Sequence, residues 1–164
     1  MNLSWQPVEP AYKTYLQLVV ITDMVILARI GLIIYILPTE WQWLPQPLWV
    51  GIPWAVFTLA MTFIWPSRRL QFTAYARPDE AVFLRRGALW QTTRAVPINR
   101  IQHVEVRQGF IERTLGLAHL VLYTAGSSGA DLSIPGLKLA TAEQIKHELI
   151  QTITQQPIAQ ETHE

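Results

Sequence analysis

The chain has no cysteine, which removes disulfide frameworks, Cys-rich zinc sites, thiol nucleophiles and iron–sulfur clusters together. Net charge is nearly absent as well: 13 Lys and Arg stand against 12 Asp and Glu, a formal +1. No global field therefore recruits nucleic acid, and no run of like charges marks an interaction tail. Repeats and low-complexity segments are missing. The four histidines, His103, His119, His147 and His163, fall at no metal-ligand spacing, and His147 four residues after Glu143 is an ordinary helical neighbour. Ser127 and Ser128 lack a Gly-x-Ser-x-Gly elbow and have no His and acid partners. The surrounding GSSG (126–129) joins two apolar runs with no Lys-Ser or Lys-Thr behind it, so it reads as a hairpin loop and not a phosphate cradle. Glu112 and Arg113 form the most tempting charged pair, but with no acid–base partner nearby they read as bonding the backbone of a tight turn. The expectation is a non-enzyme without metal or cofactor.

What the sequence does have is two long apolar runs near its start. Residues 16–37 number 22, enough for a helix of about 33 Å across a hydrocarbon core of about 30 Å. Residues 48–65 add 18 more, about 27 Å, with Pro53 near the start and Pro66 as the closing residue. A removable signal peptide does not fit the first run: Glu9 accompanies Lys13 before it, the run is too long, and no small-residue cleavage motif follows. The connecting stretch 38–47 contains no Lys or Arg, whereas Lys13 precedes the first run and Arg68 and Arg69 follow the second. That asymmetry puts both termini in the cytoplasm of a two-pass protein of the cell (inner) membrane. Trp41 and Trp43 are placed to rest at the outer headgroups.

The first helix is not a plain anchor, because Asp23 and Arg29 interrupt it. Each costs about 2.5–3.5 kcal/mol near the bilayer centre, while the 14 Leu, Ile and Val residues of the segment return about 0.3–0.6 kcal/mol apiece. The sums nearly cancel. Six residues apart, the two charges sit about 9 Å apart along the axis and about 120° around it, too far for an intrahelical pair. Either Asp23 bonds Thr58 or Thr62 of the second helix and Arg29 snorkels, or the pair docks a partner helix, or Asp23 serves an ion path. Two helices cannot enclose a path without oligomerising, so packing or docking is the preferred reading.

After Arg69 the pattern changes to short alternating runs of the kind antiparallel strands require. Leu70, Phe72, Ala74 and Ala76 share a face of the first; residues 81–86 and 89–96 form a hairpin about Gly87; 101–108 alternates with Val104 and Val106 on one face and His103, Glu105 and Arg107 on the other. A short helical turn is expected within 109–116, then strands at 119–125 and 132–134. From Thr141 the period moves to 3.6, with Ile145, Leu149 and Ile153 on one stripe and Thr141 with Gln144 as a capping box. The division is thus 1–15 as an N-terminal cytoplasmic segment, 16–66 as a transmembrane hairpin, 67–154 as a mainly-β soluble domain closed by a helix, and 155–164 as a disordered tail.

Two membrane helices, the run from Arg68 through LQFTAYARPDEAVFLRRGALWQ, the segment PINRIQHVEVRQGFIERTLGLAHL (97–120), IPGL (134–137) and a closing helix together resemble the bacterial YdbS-like membrane proteins with a pleckstrin-homology-like domain. The resemblance covers almost the whole chain. It implies a pleckstrin-homology-like antiparallel barrel capped by the C-terminal helix, a larger partner membrane protein carrying related domains, and no enzymatic chemistry to transfer.

Nine Arg and no Lys lie between Arg68 and Arg113, against Asp79, Glu80, Glu105 and Glu112, a local net of +5. Guanidinium groups suit phosphate, and basic residues beside a membrane helix are favoured near anionic lipid by about 1 kcal/mol each. Arg68 and Arg69 act first as topology signals. Arg85, Arg86 and Arg94, on adjacent strands, complete the candidate lipid- or phosphate-binding set. The leading expectation is a membrane-anchored interaction module that assembles through Asp23 and Arg29; binding of anionic lipid and a transporter role for Asp23 are the alternatives.

Overall fold

The computed structural model describes residues 3–36, 47–78, 80–124 and 131–155. Two long helices come first. Helix α1 (Ala11–Ile36) and helix α2 (Pro47–Gln71) lie against each other. Both are long and apolar enough to cross a membrane, and almost none of their most apolar surface is buried within the protein. Ile26, Ile33, Val56, Leu59 and Phe63 are all exposed on them. A helix that is apolar all round and unburied needs a surrounding apolar solvent, which a bilayer supplies.

Pro66 was expected to close the second helix, and it does not: α2 continues through it to Gln71. The overrun is supported at its far end. Leu70 packs against the core of the soluble domain, and the Thr73 hydroxyl and backbone N–H donate to the carbonyls of Arg69 (2.6 Å) and Leu70 (3.2 Å). Arg68 and Arg69 sit in the last turn, where the helix dipole favours cations. Because Leu70 belongs to the helix, the first expected strand shortens to β2 (Ala74–Ala76). The connecting stretch with Trp41 and Trp43, the GSSG turn with Ser127 and Ser128, and the tail with His163 lie outside the described residues.

Strands β3 (Ala81–Gly87) and β4 (Gln91–Pro97) form the expected hairpin, extended by one residue at each strand's C-terminal end. A Cβ on Gly87 would lie 2.0 Å from the Trp90 carbonyl, so this tight reversal excludes every residue but glycine. A single 3₁₀ turn (Ile98–Arg100) leads to β5 (Ile101–Arg107), where the register shifts between Ile101 and His103. That bulge lets Ile101 and Val104, three apart, both point into the core. Helix α3 (Phe110–Thr114), β6 (Leu117–Thr124), β7 (Leu132–Lys138) and helix α4 (Leu139–Gln155) complete the chain. Helix α4 starts two residues earlier than expected, so Thr141 lies inside it and caps nothing. Gln144 instead donates to Glu148 (2.8 Å). The expected stripe is there: Ala142, Ile145 and Leu149 are buried and Ile153 packs beside them.

The strands make two antiparallel sheets, β1-β2-β3-β4 and β5-β6-β7. Strand β1 (Gln6–Pro7) comes from the segment ahead of the first membrane helix and pairs with β2, Gln6 opposite Tyr75 and Pro7 opposite Ala74. Sequence patterning had begun the domain at residue 67. The core shared by both sheets and α4 also takes in Val8, Tyr12 and Leu16, at 3–6% exposure. Burying Val8 and Leu16 alone contributes about 3–6 kcal/mol, a large part of the roughly 5–15 kcal/mol that holds an ordinary domain folded.

Tyr12 meets β7 at Gly136, whose backbone is left-handed (φ 68°) and whose added Cβ would lie 2.6 Å from the Tyr12 ring. The Gly136 carbonyl accepts the Glu9 N–H at 2.9 Å, and Lys138 approaches the Glu9 carboxylate at 3.6 Å. Gly136→Ala incurs both the left-handed penalty of about 1–2 kcal/mol and a clash with a ring that has no room to retreat. The expected result is a loss of about 2 kcal/mol or more, read as a lower midpoint of thermal unfolding in detergent, with Ser133→Ala on the same strand as the mild comparison.

Helix α4 is tied to the end of β2 by Arg77, whose guanidinium donates to Glu148 at 2.6 Å. This bond, followed by that from Gln144, holds the Glu148 carboxyl below the ordinary range. A carboxyl lowered in the folded state contributes stability that is present above its unfolded value, about pH 4.3, and is lost as pH falls through the folded value. With both side chains partly exposed the contribution is about 0.2–1 kcal/mol. Glu148→Gln should therefore lower the unfolding midpoint at pH 7, and the difference from the parent protein should shrink and vanish as pH falls through the lowered value of the folded carboxyl.

Candidate functional site

The structure separates the residues singled out in the sequence into several places. In the membrane hairpin, Asp23 and Arg29 are both exposed on α1, and among the described residues neither has an ion-pair or hydrogen-bond partner. Thr58 and Thr62 do not reach Asp23. Their hydroxyls donate to the Trp54 and Thr58 carbonyls of their own helix, each at 2.8 Å, the usual resting place for a threonine in a helix with no better acceptor. Both charges are therefore exposed on α1, with no pairing inside the hairpin among the described residues.

The second place is the collar where the helices meet the domain. Tyr12 and Tyr15 stack with ring centres 5.8 Å apart on the first turns of α1, and Arg68 and Arg69 end α2. Glu112 lies here, 4% exposed, with one oxygen accepting the Gly109 N–H (2.8 Å) and His119 Nδ1 at 3.0 Å. The third residue of a helix reaching back to the N–H that precedes it is the half of a capping box that glycine at the first position still allows. A buried carboxylate costs several kcal/mol unless it is bonded, and both of its bonds lie within the 109–119 loop, which they close. Glu112 is structural, as its sequence context indicated. Arg113, beside it, is exposed and turned to solvent.

The arginines of β3 and β4 divide between the two faces of the hairpin, Arg86 and Arg94 on one and Arg85 on the other. Register places Leu84 opposite Arg94 and Arg85 opposite Thr93, so Arg85 and Arg94 point to opposite faces of the sheet. Arg85 reaches across the small Ala74 and Ala76 to Trp5, its guanidinium carbon 4.7 Å from the ring centre, a cation–π contact that orders the start of the chain. Arg86 is exposed near the end of β3. Arg94 instead joins Arg100, Thr124 and Asp131 around a cleft of about 380 Å³. There Asp131 accepts the Thr124 N–H and hydroxyl at 2.7 and 2.5 Å, bridging the ends of β6 and β7. Arg100 was not picked out from the sequence. Its only signal was position, directly after the Pro97 break that turns β4 into β5.

On the outer face of β5 the expected trio His103, Glu105 and Arg107 is present and organised by Tyr123. Arg107 donates to Glu105 at 2.9 Å and to the Tyr123 hydroxyl at 2.6 Å, and His103 lies 5.8 Å from the Tyr123 ring. The hydrogen bond from Arg107 lowers the Glu105 carboxyl below its usual range. The network is on the surface and spans two strands, the form of a cross-strand brace. Elsewhere His147 bonds Gln151 (2.9 Å). Among the described residues no three His, Asp or Glu side chains gather where a metal could be held.

Comparison with known proteins agrees with this architecture. The family model described as "Bacterial PH domain" matches residues 15–153. The UPF0699 transmembrane protein YdbS of Bacillus subtilis (strain 168) is 27% identical over 104 residues, 61% of this chain and 64% of that protein. The aligned region thus spans under two thirds of the relative's own length. No solved structure matches.

Proposed function

The chain belongs to the bacterial PH domain family, and from that premise we propose that it is a non-enzymatic, membrane-anchored interaction module that assembles with another membrane protein carrying related domains. The fold, two candidate membrane helices followed by antiparallel sheets and a closing helix, is that of a membrane protein with a pleckstrin-homology-like domain. The observation that carries the proposal is that Asp23 and Arg29 are exposed on α1 and have no partner among the described residues. A bilayer charges about 5–7 kcal/mol for two such groups left unpaired, and the hairpin's own second helix offers neither of them a bond. A helix of another chain bearing the complementary groups removes that cost, and assembly becomes more favourable than solitude.

In this reading the domain lies on the cytoplasmic face with both termini, since Arg68, Arg69 and Lys13 flank the hairpin on the side from which the domain grows. The lipid bilayer is the first partner and the second membrane protein the specific one.

The test is affinity purification of the full chain from membranes of its native host in mild detergent. A membrane protein with related domains should co-purify, and Asp23→Asn or Arg29→Gln should reduce its recovery about three- to twentyfold, the range that interhelical polar contacts of about 0.6–1.7 kcal/mol give. Recovery of the chain alone and monomeric at every detergent level would overturn the proposal.

A further inference from the structure

Among the described residues outside the two long helices, three large apolar side chains are at least 70% exposed: Leu89 at 70%, Trp90 at 83% and Phe110 at 86%. They belong to two separate loops, and the topology brings both loops to the same end of the domain. Helix α2 finishes at Gln71, and three residues later Ala74 begins β2, paired with Arg85 of β3. Strand β2 leads away from the helices, so antiparallel β3 returns toward them. Beyond Arg85 it continues through Arg86 and Gly87, about 7 Å further, before the Ala88-Leu89-Trp90 tip. That tip overhangs the level at which α2 leaves the domain.

The second loop arrives from the other sheet. Strand β7 ends beside the start of α1, where the Gly136 carbonyl accepts the Glu9 N–H and the Gly136 backbone meets the Tyr12 ring. That end of β7, Lys138, pairs with Leu117 at the start of β6. Helix α3 runs directly into this start, and Phe110 is its first residue. Glu112 and His119 fix the loop in place from within, and the Phe110 side chain stays open to its surroundings.

A basic rim accompanies the apolar tips. Arg68 and Arg86 are exposed, Arg69 half-buried, and Arg113 and Lys138 exposed, all on residues of this same end. Three bulky apolar side chains, presented at one level beside a membrane hairpin and rimmed by cations, match the layered chemistry of a headgroup interface: acyl boundary for the rings, phosphate for the guanidinium groups.

We propose that the Leu89-Trp90 tip and Phe110 seat in the bilayer interface, so that the domain rests on the membrane at two loops as well as hanging from its two helices. The occupant of this surface is the lipid headgroup and upper acyl region of the leaflet that α1 and α2 already cross. The seat is continuous with the hairpin and does not depend on which protein the chain assembles with. It fixes the tilt of the domain, and it leaves the cleft of Arg94, Arg100 and Asp131 at the opposite end, facing away from the membrane.

The absence of native cysteine makes the test direct. Trp90→Cys, Phe110→Cys and, as the aqueous comparison, Asn99→Cys in the 3₁₀ turn at the far end of β4 are each spin-labelled in the full chain. The labelled proteins are reconstituted in vesicles of phosphatidylcholine and phosphatidylglycerol. Collision rates with oxygen, which partitions into lipid, and with a water-soluble nickel chelate give the depth of each label. The expected result is oxygen favoured over nickel at 90 and 110, with nickel access at least fivefold below that at 99. Nickel access at either 90 or 110 equal to that at 99 would overturn the two-loop seat. Folding of each variant is established by an unchanged unfolding midpoint in detergent, and Leu89→Cys supplies a second reading of the first loop should Trp90→Cys unfold.

Discussion

The packing of the first turns of α1 into the soluble domain is the constraint on which the rest of this structure depends. Val8, Tyr12 and Leu16 enter the same core as Leu120, Ile134 and Ile145, although the two groups are separated in sequence by the entire membrane hairpin. Tyr12 occupies the space over Gly136 that any side chain at that position would fill. A transmembrane helix that begins inside a domain's core cannot swivel freely beneath it. The start of α1 is joined to the sheets by direct packing, with no linker between them.

Joining helix to core in this way sets the direction of everything above the membrane. Since β1 ends and β2 starts at the level where the helices join the domain, β3 must return to that level and β4 must leave it again. The bulge after Ile101 and the α3 loop do the same for the second sheet. The result is a domain with two chemically different ends: one with exposed Trp90, Phe110 and five cations, the other with the cleft of Arg94, Arg100 and Asp131.

Much of this was legible in the sequence, for physical reasons that can be named. Predominantly apolar runs of 22 and 18 residues allow little besides membrane helices, and period-two alternation from His103 to Arg107 indicates which side of β5 faces inward once past the bulge. What escaped were features that depend on contacts distant in sequence. Gln6 and Pro7 carry no strand pattern and pair only because β2 offers an open edge; Tyr12 looks like the lead-in to a span until Gly136 is beside it. Pro66 signals a helix end on local rules, yet α2 continues because Leu70 and Thr73 find partners in the domain. Leu89 and Trp90 read as the start of β4 because apolar residues favour strands, whereas the close approach at Gly87 turns them into a loop. The arginines were visible, but the face each one takes followed from a register no single segment reveals.

The claim that the N-terminal segment is part of the domain is tested most directly by comparing the fragment 67–155 with the full chain in detergent, using amide hydrogen exchange. Without Val8, Tyr12 and Leu16 the fragment lacks about 3–6 kcal/mol from the two aliphatic residues alone, and β2 is left with an unpaired edge. The account predicts that Ala118, Leu120 and Leu122 on β6, which lie far in sequence from the missing piece, exchange at least a hundredfold faster in the fragment. Equal protection of β6 in the fragment and the full chain would contradict it.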